Sequence, residues 1–442
     1  MHTSMPQLRH VLPIAALAAF SLNTFAAQPP AGFTALFNEK DLSGWRGGDT
    51  TDHRWLMGLP EAERTKTLDA WTADMKSHWK VETGELLNDG HGKYCTTEKD
   101  YGDMELLLEY NMAPAGDSGV YLRNVPQVQI WDPTNKEAWK HGAQAGSGGL
   151  WNNRQGSPGK DPLVLADKPA GEWNKLRILM VGSRVSVWLN DKLVVDHAIL
   201  ENYYDKDRLI PIPPKGPICL QTHGAPIKWR NIFVREIKSD EANKILASKG
   251  GEGFANVWNG KDFDGWAGPV ENYEVADGSV RCKMGKGGTI YWNREVSDFV
   301  ARVEFKVPPG GNNGLAIRYP GKGDTAYEGM TELQVLDDNY EKVRGQIDPR
   351  QAHGSAYGMV AAQRGYQHPI GEWNFEEVTV KGSTIRVELN GTVILDTDLS
   401  KVDLASVMAG KAHPGKDRTS GFFGFAGHSD PVAFRAVQIK KL

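Results

Sequence analysis

Cysteine is scarce in this chain. Only three of its 442 residues are cysteines, namely Cys95, Cys219 and Cys282. Such a small and odd number excludes a disulfide framework as the main source of stability. Cys95 and Cys219 lie in the same half of the chain and could pair, but free thiols that pack as small hydrophobic groups are the favoured interpretation.

Clustered positive charge is also absent. The chain carries 51 lysines and arginines against 55 acidic residues, which gives a net charge of -4. It has no basic tail and no basic run interleaved with aromatic residues, so the sequence argues against a nucleic-acid partner. It also lacks CxxC and HExxH motifs, so no zinc site can be recognised.

Long apolar segments are missing as well. The apolar run at residues 11–20 follows Arg9 and His10 and precedes the small residues Ala26 and Ala27. This run is too short to cross a bilayer, and its flanks have the layout of a secretory signal peptide. We therefore predict a signal peptide at residues 1–26 and a periplasmic or secreted protein without a membrane span.

An internal repeat organises the remaining chain. Residues 33–45 (FTALFNEKDLSGW) match residues 254–266 (FANVWNGKDFDGW). Further matches follow in the same order, among them 118–123 (SGVYLR) with 313–318 (NGLAIR) and the GEWN motif at 171–174 and 371–374. A long repeat of this kind predicts two related domains, at 33–237 and 254–442, joined by a linker at 238–253.

Short segments of alternating polarity fill both halves. Examples are residues 184–189 (RVSVWL) and 384–389 (TIRVEL), which are followed by Asn-Asp and Asn-Gly pairs typical of tight hairpin turns. The pattern predicts an all-β fold of two tandem jelly-roll β-sandwiches. Residues 59–80 have a helical composition and no counterpart in the second half, so we predict a short helical insertion in the first domain.

Strand alternation places many polar and aromatic side chains of the first domain on one predicted face. Its members are Tyr121, Arg123, Gln127, Gln129, Trp131, Gln221, His223, Lys228 and Arg230. Amides and guanidinium groups beside aromatic rings suit sugars, which offer hydroxyls around the ring and an apolar C–H face. The alternative is an ordinary solvated face of an antiparallel sheet.

The second domain repeats this layout with different chemistry. Its candidate residues are Arg318, Glu332, Gln334, Asp337, His428 and Arg435. Glu332 and Asp337 are spaced somewhat like the paired carboxylates of jelly-roll glycosidases, which need two carboxyl groups about 5 Å apart for retaining hydrolysis. A conventional glycosidase that uses Glu332 and Asp337 is therefore one alternative. The first domain offers only Asp132 on the corresponding strand.

Several motifs together resemble a known family. They are residues 36–38 (LFN) with Gly44-Trp45, 118–123 (SGVYLR), 127–132 (QVQIWD), His141 with 148–153 (GGLWNN), 171–174 (GEWN) and 221–224 (QTHG). In this combination the chain resembles the 3-keto-disaccharide hydrolase family over nearly all of 33–237, and more loosely over 254–442. The resemblance implies a concanavalin A-like jelly-roll fold and an exported enzyme that acts on oxidised (3-keto) sugars.

A 3-keto sugar places particular demands on a site. The ketone acidifies the C2 proton, so a base can remove it, the C1 substituent can leave, and hydration then completes a net hydrolysis. This route needs one base and one electrophile for the enediolate. Our hypothesis makes His223 the base or acid, with Arg123 and Lys228 as the electrophile.

The remaining candidates of the first domain are expected to bind the sugar. They are Tyr121, Gln127, Gln129, Trp131, Asp132, His141, Trp151, Gln221 and Arg230. A divalent metal ion could replace the cationic electrophile, with Asp132 and His141 as its ligands. The first domain is expected to be the catalytic one because Ala433 replaces Lys228 in the second. A tandem carbohydrate-binding protein without catalysis is a further alternative, since fold alone does not fix function.

Overall fold

A computed structural model of the chain describes Met1 and residues 28–442. Apart from Met1, the predicted signal peptide lies outside the described residues. None of the helices in the described part of the chain combines the length and the apolar character needed to cross a membrane.

The first half of the chain forms two facing antiparallel sheets. Its strands are β1 (Thr34–Ala35), β2 (Trp45–Gly48), β3 (Trp79–Glu82), β4 (Glu85–Asn88), β5 (Tyr94–Thr97), β6 (Met104–Met112), β7 (Asp117–Leu122), β8 (Val125–Trp131), β9 (Asn174–Val181), β10 (Arg184–Leu189), β11 (Lys192–Ile199), β12 (Ile218–Leu220) and β13 (Ile227–Glu236). The eight-stranded sheet has the order β11-β10-β9-β6-β13-β4-β3, with β1 paired to β13, and the five-stranded sheet has the order β2-β5-β12-β7-β8.

The second half repeats this topology. Its strands are β14 (Ala255–Asn256), β15 (Trp266–Ala267), β16 (Tyr273–Ala276), β17 (Ser279–Cys282), β18 (Gly287–Trp292), β19 (Phe299–Lys306), β20 (Asn312–Tyr319), β21 (Thr331–Leu336), β22 (Asn374–Lys381), β23 (Thr384–Leu389), β24 (Thr392–Asp398), β25 (Phe422–His428) and β26 (Ala433–Lys441). They form an eight-stranded sheet, β16-β17-β26-β19-β22-β23-β24 with β14 on β26, and a five-stranded sheet, β15-β18-β25-β20-β21.

Alternation along the strands builds the core of each half. Leu106 and Leu108 of β6 face Val120 of β7 and Val128 of β8, and all four are buried. Residues between them point away from the core because successive side chains of a strand alternate in direction. The predicted all-β architecture of two tandem β-sandwiches is confirmed.

The predicted helical insertion is confirmed too. It forms α1 (His53–Gly58) and α2 (Glu61–His78), and the Asp52 side chain accepts a hydrogen bond from the first turn of α1. Helix α2 packs on β2 at Gly47, where an added Cβ would lie 2.1 Å from the Trp71 backbone. A side chain at position 47 would push the helix off the sheet.

The hairpin turns also follow the prediction. Asn190 and Asp191 have φ values of 49° and 66°, and Asn390 and Gly391 have values of 48° and 77°. Left-handed conformations at both central residues define the turn that matches the twist of two antiparallel strands.

The two cysteines of the first half stay unpaired. Leu220 lies opposite Cys95 and Cys219 lies opposite Thr96, so the two thiols point to opposite faces of the five-stranded sheet. Both are free and buried, as the favoured interpretation expected.

The two halves pack closely against each other. Helix α3 (Ser239–Ser248) buries Ala242 and Leu246 against Val181 of the first half and Phe375 of the second. Arg184 of β10 forms a salt bridge with Glu388 of β23, with 2.8 Å between Nε and Oε1. The turn before β10 pairs with the turn after β23, where the Ser183 N–H donates to the Gly391 carbonyl at 3.0 Å. The second half also contains α4 (Thr325–Glu328) and α5 (Tyr340–Arg344).

Candidate functional site

The outer face of the five-stranded sheet in the first half carries a polar cluster, which we call the first polar face. Its members are Asp117 and Tyr121 of β7, Gln127 and Gln129 of β8, and Gln221 and His223 just after β12. The structure therefore brings together five of the sequence-predicted residues, and adds Asp117. The amide side chains of Gln127, Gln129 and Gln221 are all buried.

Asp117 links the amides to the histidine. Gln127 donates to Gln129, and the Gln129 Nε2 donates to Asp117 Oδ1 at 2.7 Å. The other carboxylate oxygen lies 3.3 Å from His223 Nδ1. Burial raises the pKa of the Asp117 carboxyl, and the charge of His223 opposes that shift. His223 itself is exposed, so its Nε2 is accessible to a ligand.

A second hydrogen-bonded group lies on the same face. Gln221 Nε2 donates to the Tyr121 hydroxyl at 3.3 Å. The Thr50 hydroxyl, which belongs to the segment before α1, is 3.0 Å from the Tyr121 oxygen and 2.9 Å from that of Tyr94. Burial raises the pKa of Tyr121, so its hydroxyl keeps its proton.

Aromatic rings border one end of the first polar face. Trp131 lies directly opposite Asp117 in the sheet and donates from Nε1 to the Gly146 carbonyl at 2.7 Å. The Trp151 ring meets it edge to face at 6.2 Å, and His141 meets Trp151 at 6.5 Å. A positive charge on His141 also favours the ionised form of Asp117. These three predicted residues therefore adjoin the cluster.

Arg123 does not belong to this face, and its predicted role there is wrong. A register shift in β7 and a left-handed backbone (φ 56°) turn its side chain inward, where it is 1 % exposed. It donates to the Pro213 carbonyl at 3.0 Å and to Asp103 at 3.2 Å. Arg318 occupies the same place in the second half and donates to Asp298 at 2.8 Å. Both arginines stabilise the fold.

Lys228 and Arg230 were also assigned to the wrong face. They lie on β13, which belongs to the eight-stranded sheet. Lys228 is 3.4 Å from Glu85, and Arg230 donates to Glu109 at 2.7 Å while covering the Trp173 ring.

Arg435 makes equivalent contacts in the second half. It donates to Glu304 at 2.7 Å and covers the Trp373 ring at 4.1 Å. Strand alternation gave the correct side of each strand in these cases, but not the sheet to which the strand belongs.

The two aspartates at the strand ends hold turns. Asp132 accepts from the Ala115 N–H and from the Thr134 N–H and hydroxyl. Burial acts to raise its pKa, but these hydrogen bonds outweigh burial and lower it. Asp337 likewise accepts from the Gly310 and Asn339 N–H groups.

These turns remove the basis for two predictions. Asp337 lies on the opposite side of β21 from Glu332 by strand alternation, so the proposed carboxylate pair is wrong. Both carboxylate oxygens of Asp132 accept hydrogen bonds within the turn, which also argues against Asp132 as a metal ligand beside His141. Within residues 28–442, no group of three or more His, Cys, Asp or Glu side chains is arranged to hold a metal ion.

The second half carries an equivalent cluster, the second polar face, formed by Asn312, Glu332, Gln334 and His428. These residues line a cavity of about 270 Å³. Glu332 is 3 % exposed, and its Oε1 lies 3.1 Å from His428 Nε2. Gln334 Nε2 donates to Asn312 Oδ1 at 2.5 Å. Hydrogen bonding to Glu332 raises the pKa of His428.

A glycine on β7, and its counterpart on β20, leaves room for each cluster. A Cβ on Gly119 would lie 2.9 Å from the Gln127 side chain, and one on Gly314 would lie 2.2 Å from Glu332 Oε1. Both long side chains therefore lie flat across the strand. This contact explains the glycine in the repeated SGVYLR and NGLAIR motifs.

The two faces differ in where they hold their carboxylate. Asp117 and Gln127 of the first face correspond to Asn312 and Glu332 of the second. Each face thus combines one histidine, one carboxylate next to it, and amides, but the carboxylate lies on β7 in the first face and on β21, the equivalent of β8, in the second.

Sequence reasoning missed several residues of both sites. Asp117 was identifiable, because it lies four residues before Tyr121 and so points to the same side of the strand, but the repeated motif begins only at residue 118. Thr50 and Tyr94 gave no signal, since Thr50 lies in the segment before α1 and Tyr94 lies on β5, two strands away from β7. Tyr327, Tyr357 and Lys411 of the second cavity lie on or beside loops, where alternation gives no direction.

A family model described as a 3-keto-alpha-glucoside-1,2-lyase-like domain matches the chain twice, over residues 32–235 and 253–440. The chain belongs to this family. The resemblance noted from the sequence motifs is thereby confirmed, and both halves of the chain are members of the 3-keto-alpha-glucoside-1,2-lyase-like family.

Individual relatives agree with this assignment. A 3-keto-disaccharide hydrolase of Bacteroides thetaiotaomicron is 26 % identical over 250 residues, which cover 48 % of this chain and 86 % of that protein. A crystal structure of a Parabacteroides distasonis protein described as a glycosyl hydrolase is 26 % identical, with a TM-score of 0.38, and covers 43 % of this chain and 95 % of its own. The family and the Bacteroides relative support a glycoside-hydrolase-like activity on carbohydrate.

Proposed function

We propose that the protein is an exported enzyme that cleaves 3-keto-glycosides at the first polar face, by C2 proton removal, elimination and hydration. The observation that carries the proposal is the His223–Asp117 contact at 3.3 Å on a face lined with amides. The family description supports the substrate class, and so does the Bacteroides relative, which is described as a 3-keto-disaccharide hydrolase. The layout of residues 1–26 supports export.

His223 suits the role of the base. Its Nδ1 faces Asp117, which orients the ring and stabilises the imidazolium formed when Nε2 takes up a proton. The proton at C2 of a 3-keto sugar is acidic enough for such a base, because the resulting charge spreads onto the C3 oxygen. One histidine held by one carboxylate therefore meets the demand of the first step.

Tyr121 replaces the arginine and lysine as the group that stabilises the enediolate. Its protonated hydroxyl lies on the same face as Asp117 and accepts a hydrogen bond from Gln221. That bond leaves the phenolic proton available for the C3 oxygen as negative charge develops there. Gln127 and Gln129 offer amides to neighbouring hydroxyls, and the Trp151 ring offers an apolar edge.

The remaining steps need no reagent other than water. As the enediolate collapses, a C1–C2 double bond forms and the bond from C1 to the leaving oxygen breaks. The imidazolium of His223 returns its proton to that oxygen. Water then adds across the double bond, with hydroxyl at C1 and a proton at C2, which gives the free 3-keto sugar.

The test compares a glycoside with its 3-keto form. Wild-type protein is expected to cleave only the keto form, and His223→Ala to lose about 10²–10⁴-fold in kcat. Lys228→Ala is the matched control, because this cation lies on the other sheet and its variant is expected to keep full activity. Unchanged turnover by His223→Ala would overturn the proposal. Binding of the keto form without turnover would support a carbohydrate-binding protein instead.

A further inference from the structure

We propose that the cavity of the second polar face is a separate binding site for one sugar ring, which it holds without cleaving. The inference takes only its ligand class, a carbohydrate, from the proposed function. It rests on the size of the cavity, a buried amide oxygen without a partner, an aromatic wall, and the alanine that replaces Tyr121 on β20.

The cavity has the size of a single ring. Its volume of about 270 Å³ lies just below the roughly 300–1,000 Å³ typical of sites for drug-sized ligands. Three neighbouring strands, β25, β20 and β21, form its floor, and residues beyond β21, among them Tyr340 and Tyr357, form its sides.

A buried amide in this cavity lacks a partner. Gln334 is 2 % exposed, and its Nε2 is engaged by Asn312, but its Oε1 accepts no hydrogen bond from the described residues. Buried polar atoms are nearly always paired, so this oxygen calls for a donor. A sugar hydroxyl in the cavity supplies one.

Charged groups surround the ligand position without blocking it. His428 faces Glu332, Asp324 and Asp430, whose negative charges favour its protonated form. Its side chain is 46 % exposed, so the ring remains accessible from the cavity. An imidazolium donates hydrogen bonds and cannot accept them, which suits the lone pairs of sugar oxygens.

Aromatic side chains supply the apolar wall. The rings of Tyr327 and Tyr357 meet edge to face at 6.4 Å, and the Lys411 ammonium lies 5.2 Å from the Tyr327 ring centre. Gln351 Nε2 donates to the Tyr357 hydroxyl at 3.1 Å and fixes that ring. Rings held this way offer their faces to the C–H groups of a sugar.

One replacement separates this site from the first face. Ala316 stands where the first half has Tyr121, so β20 presents no phenol to a developing enediolate. The donor on which the proposed elimination depends is therefore missing from this position, while the binding groups are kept.

Titration calorimetry of the full chain with an unoxidised methyl glucoside tests the inference. The wild-type chain is expected to bind two molecules. Gln334→Leu is expected to bind one, and so is its matched control Gln129→Leu, while the double variant binds none. Tyr327→Ala, which removes the wall and leaves the amide in place, is expected to reduce binding to one as well.

Two molecules bound per chain by both Gln334→Leu and Tyr327→Ala would overturn the inference. Thermal unfolding of each variant shows whether lost binding reflects lost folding. Failure of the proposed function has a different signature, because the wild type would then bind the probe at the second site but not turn over the 3-keto form.

Discussion

At the scale of single residues, the two polar faces place a carboxylate next to a histidine from different strands. Asp117 reaches His223 from β7, next to the edge of its sheet, and Glu332 reaches His428 from the edge strand β21. The amides fill the vacated positions. Repeated sequence motifs therefore mark the shared scaffold, and the residues that differ between the repeats mark the chemistry.

Asp117→Asn tests the histidine partner in the first face. The amide cannot stabilise the imidazolium, so we expect kcat for a 3-keto-glycoside to fall about 10²–10⁴-fold. The measurement is kcat as a function of pH for the variant and the wild type. A variant with unaltered rate and pH profile would show that Asp117 plays no part in proton transfer.

Arg123→Ala is expected to destabilise the first domain without reference to catalysis. It removes the buried guanidinium and leaves partly buried Asp103 without this cation, and breaking a buried pair by removing one partner costs about 3–5 kcal/mol. Urea unfolding measures the loss. Arg230→Ala is the control, since its pair with Glu109 is partly exposed and such pairs are worth about 1 kcal/mol or less.

His428 provides a prediction about pH. Its folded pKa is raised, mainly by the hydrogen bond to Glu332, above the ordinary histidine value of about 6.5. Its contribution to stability is therefore fully present below about pH 6.5 and is lost as the pH rises through the folded pKa.

Glu332→Gln removes the carboxylate that raises this pKa. We expect the stability difference between wild type and variant to be largest in acid and to shrink at alkaline pH. An NMR titration should show the His428 midpoint falling in Glu332→Gln. An unchanged midpoint would mean that Glu332 does not hold the proton.

At the scale of elements, the sequence predicts strands better than sheets. The alternation in residues 184–189 and the turn at Asn190-Asp191 fix a hairpin, because both are local. Which sheet a strand joins depends on contacts across more than a hundred residues. Lys228 and His223 are five residues apart, yet β13 joins the large sheet and β12 the small one. For this reason the amide and histidine candidates came together and the cationic ones did not.

Thr50→Val probes the segment that leads into the helical insertion. The change keeps the shape of the side chain but removes the hydroxyl that lies between Tyr121 and Tyr94. A hydrogen bond is worth about 1 kcal/mol, so we expect kcat/KM for a 3-keto-glycoside to fall about five- to tenfold. Thr67→Val on α2 is the control, because that hydroxyl bonds only to the backbone of its own helix. Equal kcat/KM values for Thr50→Val and Thr67→Val would show that the Thr50 hydroxyl does not contribute to the site.

At the scale of the whole molecule, the two domains form one packed unit. Arg184 and Glu388 join them through paired hydrogen bonds, and both side chains are largely buried. Arg184→Met leaves Glu388 without this partner, and an unpaired buried charge is strongly destabilising. We expect the wild type to unfold in one thermal transition and the variant to unfold in two, as measured by calorimetry. One sharp transition in the variant would show that the interface does not depend on this pair.

The helical insertion makes the first polar face depend on the second domain. Arg54 of α1 donates to the Pro211 carbonyl at 2.8 Å and to the Tyr366 hydroxyl of the second domain at 2.9 Å. Four residues before Arg54, Thr50 reaches the first polar face. A first domain produced alone would therefore lack one of the anchors that hold this segment beside its site.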